Sequence, residues 1–254
     1  MRVIRSFVVA FSCFSKIPMP KVMWDDKSMS YALCFFPWIG LVIAILMYAW
    51  VLLAGELGFG QGLVAAVITL LPLAVTGGIH LDGFADVIDA QSSHAEPERK
   101  RAILKDPHTG AFAIMGIASY LLVYYALAQE FLLRATSIEA WLMFAGIFWL
   151  SRTLSGCSVL AFPKSSHEGM LAQFNEGADR RALGVLLVEA AAGMIFLIAM
   201  KPQVGAAMVA VALAIFAWTY RFSRTAFGGM SGDIAGYFLE MTELGMLAAL
   251  AILL

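Results

Sequence analysis

Charge is what this sequence has least of. Asp, Glu, Lys and Arg make up 14% of its 254 residues, where a soluble domain carries about 25%. Too few charged side chains exist to solvate the surface of an ordinary globular enzyme. Disorder is excluded by the opposite excess, because 61% of the residues are hydrophobic and cannot all be left in water. Cysteine is also scarce. Cys13, Cys34 and Cys157 show no CxxC or other metal spacing, and each sits in or near an apolar run, so they read as reduced small hydrophobes. No A-x-A-like site closes the apolar stretch behind Arg2 and Arg5, so no cleavable signal peptide is expected. A net charge of −1 gives no reason to expect a nucleic-acid partner.

What the chain does have is long apolar runs, with a mean hydropathy of +0.82. A spanning helix needs about 20 mostly apolar residues. Charge-free runs cover Tyr31–Ala54, Leu57–Ile79, Pro107–Gln129 and Pro202–Tyr220. Three more carry internal charge: Ala140–Pro163 with Arg152, Ala182–Met200 with Glu189, and Ile234–Leu254 with Glu240 and Glu243. The expectation is an all-α polytopic bundle with the lipid bilayer as its solvent: about seven transmembrane helices and one membrane domain over 1–254. Val3–Phe14 is apolar but short and is followed by Pro18 and Pro20, which predicts an interfacial or re-entrant helix.

Seven spans make the connections alternate between two sides. Met1–Ser30, His80–Asp106, Lys164–Arg181 and Arg221–Gly232 share one side and hold five, four, three and two Lys or Arg respectively. The other side holds Arg134 and Lys201, and Arg152 lies within a span. So strong a bias in short loops predicts that the basic side faces the cytoplasm, in an inner-membrane orientation. The loops opposite are too small to hold a domain, so function is expected at the cytoplasmic mouth.

The stretch Thr76–Ala90 concentrates that function. Asp82, Asp86 and Asp89 are spaced i, i+4, i+7 and share one helical face. Three carboxylates on one face repel one another unless a cation or basic groups compensate them. A hard divalent ion such as Mg²⁺ prefers oxygen ligands and keeps part of its water, so a metal site is expected, and membrane-edge carboxylates are functional by default. Gly77, Gly78 and Gly83 allow tight turns or close approach of backbone to a ligand. His80 lies roughly opposite Asp82 on a helical wheel, with a phosphate contact as plausible a role as ligation. The triplet Arg99, Lys100 and Arg101 reads as interfacial charge. Lys105 and Asp106 stand before the next span, as a phosphate contact and a further ligand or as a simple membrane-edge anchor. Arg152 inside a span needs an anion, either a carboxylate or a substrate phosphate. A second acidic stripe runs through Asp233, Gly236, Glu240 and Glu243, preceded by Arg224 and the Gly228-Gly229-Met230-Ser231-Gly232 turn.

At these residues the sequence resembles the cobalamin synthase family, the adenosylcobinamide-GDP ribazoletransferases. The resemblance runs over nearly the whole chain. It takes in Lys16-Ile17-Pro18-Met19-Pro20, Phe36-Pro37-Trp38-Ile39-Gly40, the Thr76–Asp89 block, Lys105-Asp106 with Gly110, Ser151-Arg152, and Gly228–Asp233 followed by Glu240 and Glu243. Glu168-Gly169-Met170 matches in part. The resemblance implies a Mg²⁺-dependent transfer in which α-ribazole, or its 5′-phosphate, attacks the phosphorus attached to cobinamide in adenosylcobinamide-GDP and GMP leaves. Asp82, Asp86 and Asp89, with Asp106 and Glu240, are then the expected Mg²⁺ ligands. Lys105, Arg152 and Arg224, with Gly78, Gly83 and Gly229, are the expected phosphate contacts. Asp233, Glu240 or His80 is expected to orient or deprotonate the ribose hydroxyl, with Asp82 catalytic. Self-association as a homo-oligomer is left open. A CDP-alcohol phosphotransferase ranks lower, because Asp86 follows Ala85 where that family needs Ala-Arg. A cation-coupled transporter needs polar residues continuing to the far side, where only Glu130 and Glu189 point.

Overall fold

The computed structural model describes residues 2–22, 24, 26–29, 31–165, 174 and 180–254. Most of the expected Lys164–Arg181 loop, with Glu168-Gly169-Met170, therefore lies outside the described residues. The helices are α1 (Arg2–Phe14), α2 (Phe36–Glu56), α3 (Gln61–Thr76), α4 (Ile79–Ser92), α5 (Pro97–Ile103), α6 (Ala111–Arg134), α7 (Ile138–Ala161), α8 (Arg180–Met200), α9 (Pro202–Phe227) and α10 (Gly232–Leu253). A turn of helix at Asp26–Met29 and a 3₁₀ turn at Ala32–Phe35 lead into α2. Among the described residues there is no strand, only an isolated bridge between Lys164 and Met230. The chain is an all-helical, multi-pass membrane protein.

Helices α2, α6, α7, α8, α9 and α10 are long and apolar enough to cross a bilayer. The remaining expected span behaves differently. Its helix, α3, stops at Thr76, and α4 leaves at 97° to it. The break is made by Gly77 and Gly78, at φ of +71° and +77°, a left-handed pair that side-chain-bearing residues rarely adopt. The span expected over Leu57–Ile79 is thus a 16-residue helix, about 24 Å long, and the acidic segment is turned across its end. At 13 residues, or about 20 Å, α1 is too short to cross. It docks on α3 through Lys16 N–H to the Val75 carbonyl, at 2.7 Å.

Burial sorts the spans into a centre and a ring. In α7, 83% of the apolar window is buried, and in α10 61%, against 17–33% in α2, α6, α8 and α9. The outer helices present Leu52, Leu122, Val188 and Ile195 outward, as lipid-facing surfaces must. Hydrogen bonds confirm the alternation of ends. Arg134 donates to the Ile252 carbonyl, so α6 and α10 finish on the same side. Arg101 donates to the Phe227 carbonyl, and the Lys164–Met230 bridge joins the end of α7 to the approach to α10. These contacts gather α5, the ends of α7 and α9 and the start of α10 at the opposite side.

Candidate active site at the meeting of two helices

The two acidic helices meet through glycine. A Cβ on Gly83 would lie 2.7 Å from the Asp233 Cα, and one on Gly236 would lie 2.7 Å from the His80 carbonyl oxygen. Each glycine admits the other helix's backbone, as small residues do at tight helix crossings. Gly83, expected to face phosphate, is therefore used for packing. Gly229 likewise lies against the Lys164 backbone. The Gly-rich turn ends in Ser231, which caps α10 by accepting the Ile234 N–H at 3.2 Å, and this sets Asp233 in the first turn.

Four carboxylates result at one mouth. Asp82 is exposed, while Asp86, Asp89 and Asp233 are half-buried. Asp86 feels the charges of Asp82, Asp233 and Asp89, and Asp233 that of Asp82, so the stripes on α4 and α10 act on one volume. The Asp89 carboxylate lies against Gly110, where a side chain would displace it. Among the described residues no three His, Cys, Asp or Glu side chains converge as a finished ligand set. The donor chemistry still fits Mg²⁺, which is typically held by one or two carboxylates together with water and substrate phosphates.

Two cavities open beside this cluster, and both are lined by Ile79 and Asp82. The larger, about 580 Å³, is polar on one wall: Ser12, Ser15, Lys16, Thr76, Gly77 and Gly78 surround it. Lys16 reaches across Gly77, while the space beside Gly78 is open. The smaller, about 230 Å³, is mainly apolar, and its polar groups are His80, Asp82, Asp233 and Ser155. Lys164 closes the nearby end of α7 by donating to the Val159 and Phe162 carbonyls. Burial pushes its ammonium down to about 8.

Below the mouth lies a second polar group, wholly enclosed. Arg152 and Glu243, each 1% exposed, pair at 2.5 Å, and Ser151 donates to the same carboxylate at 3.1 Å. Glu240 accepts from the Tyr120 hydroxyl. Gly40 makes room for this pair, since a Cβ there would meet the Phe148 carbonyl and the Arg152 chain. Arg152 and Glu240 are thus engaged with protein partners, about 14 Å and 12 Å along their helices from the mouth. The other expected residues lie at the rim. Lys105 is exposed. Asp106 is exposed and accepts from the His108 backbone N–H at 3.0 Å, which with the His108 ring holds its carboxyl below the usual range. Arg224 stacks over Tyr220 and donates to its hydroxyl.

Sequence reasoning gave Lys16, Ser12 and Ser15 no role at the site, although Lys16 stands between an apolar helix and two prolines, where a charge is held close to the membrane edge. It also missed Tyr120, whose only signal is i, i+4 spacing with Tyr124.

Comparison with known proteins identifies the family. A family model described as cobalamin-5-phosphate synthase matches residues 6–251. A protein of Lachnoclostridium phytofermentans named adenosylcobinamide-GDP ribazoletransferase is 37% identical over 258 residues, covering 100% of this chain and 95% of its own. Proteins of the same name from Ectopseudomonas mendocina and Clostridium perfringens are 33% and 32% identical, each covering at least 92% of both chains. No solved structure matches. With glycine-crossed acidic helices at one mouth and a match along almost its entire length, the chain belongs to the cobalamin-5-phosphate synthase family.

Proposed function

We propose that the chain is an adenosylcobinamide-GDP ribazoletransferase that depends on Mg²⁺. It would join adenosylcobinamide-GDP to α-ribazole or α-ribazole 5′-phosphate and release GMP. The observation that carries this reading is that two cavities of unlike character share Asp82 as a common wall, as a two-substrate transfer requires. The basic bias of the mouth's loops supports a cytoplasmic orientation in the inner membrane.

In the reaction a ribose hydroxyl oxygen forms a bond to the phosphorus attached to cobinamide. The bond from that phosphorus to the bridging oxygen breaks, and GMP leaves with that oxygen. Such displacement needs alignment and charge neutralisation more than covalent help. Asp82, Asp86 and Asp89 are the residues that would hold Mg²⁺, which would supply positive charge to offset that of the phosphates. Lys16 adds a second positive charge in the larger cavity, and the backbone at Gly78 leaves phosphate oxygens room to approach. Asp233, which borders the smaller cavity, would take the hydroxyl proton. Lys105 and Arg224 at the rim would act on approach, by attracting a polyanion.

The experiment is turnover by purified protein in lipid or detergent with adenosylcobinamide-GDP, α-ribazole 5′-phosphate and Mg²⁺, following GMP by chromatography. GMP and a cobamide product that both disappear on chelation support the reading. A folded protein that releases no GMP overturns it.

A further inference from the structure

The smaller cavity has a feature that metal and phosphate chemistry do not use. Phe14, Phe36 and His80 form a connected aromatic wall, with ring centroids 4.7 Å apart for Phe14–Phe36, 5.3 Å for Phe36–His80 and 6.4 Å for Phe14–His80. Phe174 stacks on Phe14 at 5.5 Å, and Leu33 and Val159 line the rest. Within this apolar setting one polar atom stands alone: Nε2 of His80, in a residue 8% exposed, has no hydrogen-bond partner among the described residues. A buried polar atom left unpaired is costly, and its place in a cavity wall suits a ligand that brings the missing partner. The volume, about 230 Å³, is below the ~300–1,000 Å³ of sites that enclose a whole drug-sized ligand. It suits one flat fused ring system, with the remainder of the ligand outside. Among the described residues that line it, the charged ones are Asp82 and Asp233, at the carboxylate mouth.

We infer that this cavity seats the fused aromatic base of the nucleoside substrate against the wall of Phe14, Phe36 and His80. His80 Nε2 is then the hydrogen-bond partner of the base's free ring nitrogen. The ribose lies at the cavity's outlet, with its hydroxyl beside Asp233. The inference rests on the transferase reading and adds to it the division of the two cavities: base in the small apolar one, nucleotide phosphates in the large polar one.

The test reads steady-state kinetics of the full chain in detergent, with each substrate varied separately. Phe36→Leu removes one ring of the wall. Loss of one aromatic stack weakens base binding by about 5- to 150-fold, so the KM for α-ribazole should rise within that range. The KM for adenosylcobinamide-GDP should stay within about twofold, because its binding contacts are elsewhere. An equal rise in both KM values, or none in that for α-ribazole, overturns the inference while leaving the reaction standing. Absence of GMP release by the unaltered protein overturns the reading itself, and the inference with it. A second measurement needs no variant: a photoreactive analogue of α-ribazole is crosslinked to the unaltered protein and mapped by mass spectrometry. Labelling of Phe14, Leu33, Phe36 or Val159 is expected. Labelling confined to Ser12, Lys16 and Thr76 overturns the assignment.

Discussion

The acidic stripe of α10 passes through two environments, and the same residue type does different work in each. At the mouth, Asp233 faces Asp82 and Asp86 with no basic side chain paired to it among the described residues. Three turns further in, Glu243 is paired with Arg152 and Ser151, and Glu240 with Tyr120. The upper carboxylates repel one another and are open to a cavity; the lower ones are hydrogen-bonded and sealed. Spacing alone cannot separate these cases, because i, i+3, i+7, i+10 looks the same at both ends. Partner chemistry separates them. The carboxylates beside the cavity, without a basic partner among the described residues, are the ones proposed above to hold a cation, whereas the paired ones in the bundle's centre fix how α7 and α10 sit against each other.

The difference can be broken from either end. The largest effect is expected in the core. Arg152→Met leaves Glu243 as a buried unpaired charge, costing about 3–5 kcal/mol of stability, whereas Arg152→Met with Glu243→Leu should recover most of it. Thermal unfolding in detergent of the two variants measures this. At the mouth the loss should be in rate. Asp82→Asn should lower turnover by about 10²–10³-fold, the scale of losing one preorganised electrostatic contact, with unfolding unchanged. Between the two regions, Gly236→Ala pushes a Cβ against the His80 carbonyl, so overpacking should cost about 1–3 kcal/mol and lower turnover by parting the helices, visible when melting and GMP release are compared. The smallest effect is expected at the rim. Arg224→Ala should change stability by less than ~0.5 kcal/mol and weaken adenosylcobinamide-GDP binding chiefly at low salt, as a KM series in NaCl would show.

Much of the fold was legible because a bilayer imposes one length on every span, and charge-free runs of that length are hard to miss. The sequence also placed α1 as too short to cross. It did not place the bend after Thr76, because two glycines signal freedom and not the direction taken; only the neighbouring helices determine that α4 turns by 97°. At the site, the one-face spacing of Asp82, Asp86 and Asp89 was readable from helix geometry. The fate of Arg152 was not, because its need for an anion was clear while the choice between Glu243 and a phosphate depends on how α7 and α10 rotate. Gly83 and Gly229 were read as ligand contacts for a similar reason: a glycine that admits a phosphate and one that admits a neighbouring backbone look alike in sequence. Lys16 stood in a motif that carries the resemblance but was given no role at the site, because about sixty residues separate it from the Gly77 turn it covers.

The central claim is that metal-dependent transfer belongs to the mouth and not to the buried pair. The most direct test titrates Mg²⁺ against GMP release in three proteins: the unaltered chain, Asp86→Asn, and the double variant Arg152→Met, Glu243→Leu. The account expects Asp86→Asn to need much more Mg²⁺ for half-maximal rate, and the double variant to keep the unaltered Mg²⁺ requirement. An unchanged requirement in Asp86→Asn, with a shifted one in the double variant, would contradict it.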